Sequence, residues 1–136
     1  IFMPGSLTAI RKLTSVFKRI LIVTNQQCIG KGLITEHALD KIHKRMTIEI
    51  ENNGGKIDKI YFCPCLASEN CECRKPKPGM IEKAIQDFPK INIDNSYLVG
   101  DSNTDIEAGE SQGLNTIKVD NEYTLLSWCS DLIRSS

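Results

Sequence analysis

The stretch Ser96-Tyr97-Leu98-Val99-Gly100-Asp101-Ser102-Asn103-Thr104-Asp105 decides the fold. Ser96 to Val99 is a short apolar run that fits a strand buried on both faces, and it breaks at Gly100-Asp101. A helix is predicted from Thr104 to Gln112, closed by Gly113. Open α/β sheets place ligands where strands end at their carboxyl termini. There Asp101 and Asp105 can turn two carboxylates toward one hard cation of the magnesium type. The same residues also suit plain capping, with Ser102 or Asn103 as N-cap and Asp105 favoured in the first turn by the helix dipole. Both readings stand for this motif taken alone.

Outward from this unit the chain alternates helix and strand, which argues for an α/β fold with a largely parallel sheet. Helices are predicted over 5–17, from about 35 to 52, over 80–88 and over 125–133. Strands are predicted over 20–24, 57–62 and 116–119. Asn53-Gly54-Gly55 should stop the second helix. No repeat, low-complexity segment or linker interrupts the pattern, so one domain spanning residues 1–136 is expected.

The 136 residues carry 17 Lys+Arg and 17 Asp+Glu, so the net charge of zero gives no electrostatic case for nucleic acid or an anionic membrane. No run of 18 apolar residues suggests a membrane span. The start, Ile1-Phe2-Met3-Pro4-Gly5, has neither the basic nor the long apolar region of a signal peptide. A cytoplasmic protein is the expectation.

Four of the six cysteines, Cys63, Cys65, Cys71 and Cys73, form two Cys-x-Cys pairs joined by a short loop. Neighbours in such a pair are too close for an easy disulfide with each other. Four thiolates from two close pairs suit a closed tetrahedral zinc site of structural type, in which Pro64 stiffens the first pair and Glu69 and Asn70 suit the turn. The competing reading is four free or redox-active thiols. Cys28 and Cys129 read as ordinary buried cysteines. Arg74-Lys75-Pro76 follows the last cysteine, where a pinned loop would hold two cations in place; a solvated basic pair is the plainer alternative. Val23-Thr24-Asn25-Gln26 ends the first strand with a hydroxyl and two amides able to meet a phosphoryl group, or simply turns the chain.

Taken together and in order, VTNQ, RKP and GDSNTD resemble the second, third and fourth motifs of the haloacid dehalogenase superfamily of phosphatases. The string CPCLASENCECRKPKPGM, residues 63–80, resembles the zinc loop of its histidinol-phosphatase and heptose-bisphosphate phosphatase family. The resemblance implies a Rossmann-like three-layer fold and phosphomonoester hydrolysis, with Mg2+ and Zn2+ as cofactors. It assigns Thr24 and Lys75 to catalysis. Asn25, Gln26, Gln27 and Arg74 join them in substrate binding. Magnesium falls to Asp101 and Asp105, zinc to the four clustered cysteines. The implied substrate is a small phosphorylated sugar, heptose bisphosphate ahead of histidinol phosphate. No oligomeric state follows from it.

Two departures stand out. Cys65 takes a position that is usually histidine in the family. More seriously, the family opens with a strand ending in Asp-x-Asp, whose first aspartate attacks phosphorus and whose second acts as acid and base, and no Asp-x-Asp occurs in these 136 residues. The expectation is therefore a chain lacking the central, nucleophile-bearing strand and inactive by itself. Its first and third predicted strands should flank a gap instead of pairing. The alternative from another class is a non-catalytic, zinc-stapled phosphate-binding module. An in-frame Asp-x-Asp-Gly-Thr upstream of Ile1 would favour the enzyme.

Overall fold

Helix and strand alternate along the chain as the periodicity predicts. The computed structural model describes residues 5–25, 31–65, 67–69 and 71–135. Its elements are α1 (Ser6–Thr14), β1 (Leu21–Asn25), α2 (Glu36–Asn52), β2 (Lys59–Cys63), α3 (Gly79–Asp87), β3 (Tyr97–Gly100), α4 (Asn103–Ser111), β4 (Asn115–Lys118) and α5 (Leu125–Ser135). One-turn 3-10 helices at Ala67–Glu69 and Ile93–Asn95 were not anticipated; they are too short to show a period. Helix α1 ends at Thr14, three residues before the predicted Phe17. The Thr14 hydroxyl donates to the Ile10 carbonyl and that of Ser15 to the Lys12 carbonyl, which ties off the last turn locally.

β1 pairs with β2, and β3 pairs with β4 in parallel, in the register Tyr97↔Asn115 through Gly100↔Lys118. Among the described residues no ladder joins β1 to β3, as expected for these two strands.

The chain divides into two compact units. The first comprises Ile1–Ile22, His37–Ile60 and Val119–Ser136. In it α1 packs on α5, burying Ala9, Leu13, Trp128 and Cys129, and the Phe17 ring stacks on Trp128 with centroids 6.5 Å apart. Asp58 holds the entry to β1 by accepting from the Ile20 N–H at 2.7 Å while its own N–H donates to the Ile20 carbonyl. Cys129 is a free, fully buried cysteine whose thiol burial pushes up, against a smaller lowering by Lys12. Cys28 lies outside the described residues.

The second unit comprises Val23–Glu36 and Tyr61–Lys118. Its core is Ile81 from α3, Leu98 from β3 and Ala108 from α4, with Ile85, Ile106 and Leu114 packed against them. Burying an Ile or Leu side chain is worth about 1.5–3 kcal/mol. This small cluster therefore clamps α3 and α4 onto β3, and so fixes the β3–α4 junction, with Asp101 in the turn and Asp105 in the first turn of α4.

Candidate functional site

Lys75 is the centre of the site. It lies in the loop between Cys73 and α3, and three groups from elsewhere in the second unit hold it. Its backbone N–H donates to Asn25 Oδ1 at 3.2 Å, and its Nζ donates to the Val23 carbonyl at 3.3 Å. The same ammonium pairs with Asp105 Oδ1. The side chains of Lys75 and Asp105 are only 13% and 11% exposed. Breaking a desolvated pair of this kind by removing one partner costs about 3–5 kcal/mol, because the other charge is left buried and alone.

Asp105 is held as firmly as it holds. Ser102 is the N-cap of α4: its hydroxyl accepts from the Asp105 N–H, while Asp105 Oδ2 accepts from the Ser102 hydroxyl at 2.9 Å and from the Ser102 N–H at 3.4 Å. This reciprocal capping box satisfies helix donors that would otherwise be orphaned. Burial raises the pKa of Asp105, yet the hydrogen bonds from Lys75 and Ser102 outweigh it and leave the carboxyl below its ordinary range. The backbone makes room for this carboxylate. A Cβ on Gly100 would lie 2.6 Å from Asp105 Oδ2 and 2.7 Å from its Cγ, so only glycine fits at 100. Gly79 plays the same part below the loop, where a Cβ would stand 2.8 Å from Cys73 Cα and the Gly79 N–H donates to the Glu72 carbonyl.

The other sequence-predicted residues are placed as follows. Thr24 is half-buried in β1, its hydroxyl 3.5 Å from the Asn25 carbonyl. Asn25 ends β1 and meets Lys75. Gln26 and Gln27 lie outside the described residues. Arg74 is half-buried, and its Nη1 donates to the Cys65 carbonyl at 3.4 Å. Asp101 is exposed and has no hydrogen bond or ion pair among the described residues. The pair of carboxylates foreseen for one cation is thus divided. Asp105 is engaged through both oxygens by Lys75 and Ser102, whereas Asp101 is available. One free carboxylate suits magnesium, which keeps several waters and takes few protein ligands.

The cysteine loop folds back so that its two outer sulfurs meet and its two inner sulfurs meet. Cys63 is bonded to Cys73 and Cys65 to Cys71, across the Cys-x-Cys pairs and not within them. The sequence favoured metal over bridges; here the four sulfurs are paired, and a four-thiolate site belongs to the reduced chain. The arrangement fits that demand as well. The sulfurs of Cys63, Cys65 and Cys73 lie within 4.8 Å of one another, close to the roughly 3.8 Å that tetrahedral zinc–thiolate bonds of about 2.3 Å require.

A family model of HAD-hydrolase-like proteins matches residues 72–131, from the cysteine loop through the β3–α4 turn to α5. The chain is 35% identical over 116 residues, 85% of its length, to a D-glycero-beta-D-manno-heptose-1,7-bisphosphate 7-phosphatase of Pseudomonas putida. It is 32% identical over 128 residues to the Rhodopseudomonas palustris protein of the same name, covering 71% of that relative. The chain belongs to the haloacid dehalogenase-like hydrolase family. A crystal structure of the D,D-heptose 1,7-bisphosphate phosphatase of Bordetella bronchiseptica, complexed with magnesium and phosphate, superposes with a TM-score of 0.82 at 26% identity, covering 100% of this chain and 86% of that one. This haloacid dehalogenase-like chain spans less than two thirds of the length of the curated relatives to which it is more identical.

Three groups of the site were not foreseen in these roles. The sequence marks Ser102 as a candidate cap, not as the residue that holds Asp105 for Lys75. The Ser-x-x-Asp spacing of a capping box was a signal that could have found it. Val23 contributes a carbonyl, and Gly100 contributes an absence of side chain; neither leaves a trace in side-chain chemistry.

Proposed function

We propose that this chain forms the phosphate- and metal-binding part of a phosphomonoesterase acting on a heptose 1,7-bisphosphate. The observation that carries the reading is the placement of Lys75, whose backbone is held by Asn25 and whose ammonium is held by the Val23 carbonyl and Asp105 beside the end of β1. Phosphoryl transfer is mostly positioning and charge neutralisation. Lys75 neutralises phosphoryl oxygens, and the Thr24 hydroxyl orients the same group. Asn25 lines the pocket, and the reading extends to Gln26 and Gln27. Arg74 contacts the substrate through guanidinium donors not used on the Cys65 carbonyl. Asp101 holds magnesium, with Asp105 beside it fixing Lys75. A bound magnesium supplies positive charge toward the phosphoryl oxygens. In the reduced chain the four clustered cysteines hold zinc and pin the loop that carries Arg74 and Lys75. The names of the relatives support the heptose substrate. The cytoplasm, where thiols stay reduced, is the compartment this reading implies.

Attack on phosphorus needs an in-line nucleophile, and no Asp-x-Asp is present in these 136 residues. This chain by itself therefore binds and does not turn over. The test is a titration of inorganic phosphate, with magnesium, into the reduced zinc-loaded chain, beside an assay on D-glycero-D-manno-heptose 1,7-bisphosphate. Phosphate should bind, Lys75→Met should weaken it by about tenfold or more, the loss of roughly one charge-assisted contact, and no turnover should appear. Binding that ignores Lys75→Met defeats the pocket. Magnesium-dependent turnover by this chain alone defeats the claim of inactivity.

A further inference from the structure

Asn25 and Lys75 stand fifty positions apart, yet the Asn25 side chain takes the Lys75 backbone N–H at 3.2 Å. An N–H can only meet the carbonyl end of an amide, so the orientation of Asn25 follows from this bond. The loop's neighbouring N–H groups behave differently. That of Arg74 donates to the Cys71 carbonyl, that of Lys77 to Arg74 and that of Gly79 to Glu72, so the turn closes on itself. The Lys75 N–H instead reaches out of the turn to β1.

We infer that Asn25 is a positioning residue for Lys75, a side-chain strut that fixes the root of the lysine while Val23 and Asp105 fix its tip. The inference rests on the phosphate pocket proposed above and gives Asn25 a second task there. A lysine side chain has four rotatable bonds, and holding its ammonium at one point requires both ends to be fixed. Val23 O and Asp105 Oδ1 fix the distal end. The Asn25 bond fixes the proximal end, so little rotamer freedom remains to be lost when an anion arrives. Because Oδ1 is committed to Lys75, the NH2 end is the one able to donate to a phosphoryl oxygen. The two tasks use opposite ends of one amide, and substitution can separate them. Asn25→Asp keeps the acceptor and loses the donor, while Asn25→Ala loses both.

The experiment is residue-resolved amide hydrogen exchange on the full chain, with the amides of Leu98 and Val99 in β3 as internal reference, followed by titration with inorganic phosphate and magnesium. Loss of one hydrogen bond should make Lys75 exchange about tenfold faster in Asn25→Ala, relative to the reference amides. Asn25→Asp should keep Lys75 exchange within about threefold of wild type, since an acceptor remains. Phosphate affinity should fall in both variants. The strut is overturned if Asn25→Ala leaves Lys75 exchange unchanged, if it accelerates Leu98 and Val99 by the same factor, or if Asn25→Asp fails to retain the protection. A wild-type chain that does not bind phosphate overturns the pocket reading instead, and the exchange data then decide the strut separately.

Discussion

Replacing Gly100 with alanine should damage the site without touching any charged group. The added Cβ would sit 2.6 Å from Asp105 Oδ2 and 2.7 Å from Cγ. Carbon contacts are comfortable at roughly 3.5–4.0 Å, so Asp105 must retreat by about 1 Å. It has no slack for this. Both oxygens are bound to Ser102 and Lys75, and its side chain is only 11% exposed. A shift of that size spoils the capping box, worth about 1 kcal/mol, and stretches the buried ion pair. Overpacking in well-filled sites generally costs about 1–3 kcal/mol. Alanine returns a little by restricting the unfolded chain, about 0.4–1 kcal/mol. The net expectation is a loss of about 2 kcal/mol.

Urea denaturation followed by far-ultraviolet circular dichroism measures it. With a slope of about 1–2 kcal/mol per molar urea, the midpoint should fall by roughly 1–2 M. The clash is with one side chain, its Cβ included, so the cost should largely vanish in an Asp105→Gly background, where Gly100→Ala has nothing to displace. A midpoint within about 0.3 M of wild type, well under 1 kcal/mol at that slope, would refute the reasoning. So would an equal cost in both backgrounds, which would put the strain elsewhere.

Asp105→Asn should remove about 3 kcal/mol at neutral pH, because Lys75 is left buried without its counter-charge. The carboxyl of Asp105 lies below its ordinary range in the folded chain, so its contribution is complete above the unfolded value of about 3.9 and is lost as the pH falls through the folded value. The variant's stability should therefore vary less with pH below about 4, and an undiminished acid dependence would count against the assignment. Tyr61, 7% exposed, donates its hydroxyl to Asp87 at 2.7 Å, and burial together with Asp87 pushes its pKa up to about 12. Its contribution is present below about pH 10 and lost as the pH rises through 12, so Tyr61→Phe should cost about 1 kcal/mol at neutral pH and abolish that alkaline step. Freshly reduced chain should carry about one zinc, by elemental analysis, and lose it in Cys63→Ser; reduced protein without zinc would sink the four-thiolate site.

The β3–α4 turn was legible because three local rules agree there: an apolar run, a glycine break and a helix start rich in capping residues. Even the choice between Ser102 and Asn103 as N-cap was within reach, since only Ser102 has an acid three positions on. The ends of α1 were less legible, because Thr14 and Ser15 stop the helix through their own side-chain bonds, which compete with a periodicity that continues to Phe17. The partners of Lys75 were not legible at all. Its bonds to Asn25 and Asp105 span 50 and 30 positions, and no local pattern encodes a contact that exists only once β1, the cysteine loop and α4 have been brought together. The motif alone made Asp105 an equal of Asp101, whereas burial and the capping box turn the two carboxylates into different things.

On the proposed reading, that difference bears on how the site attracts an anion. Lys75 is the obvious positive charge, but Asp105 already balances it in a setting where the pair is nearly dry. A phosphate monoester approaching Lys75 alone must either accept a neutral pair as its partner or pull the lysine away from Asp105, at a cost of about 3–5 kcal/mol and the loss of a helix cap. Neither is a good bargain for a doubly charged ligand. A divalent cation on the exposed Asp101 changes the balance. Two charges added to one carboxylate leave a net positive site, and the Lys75–Asp105 pair stays intact as a rigid donor. On the proposed reading, magnesium dependence of phosphate binding follows from the ion pair itself, before any bond to phosphorus is considered. It also explains why Asp105 is built into a capping box and hemmed in by Gly100. A carboxylate free to swing toward the cation would release Lys75, and the pocket would lose the fixed ammonium against which the phosphoryl group is positioned.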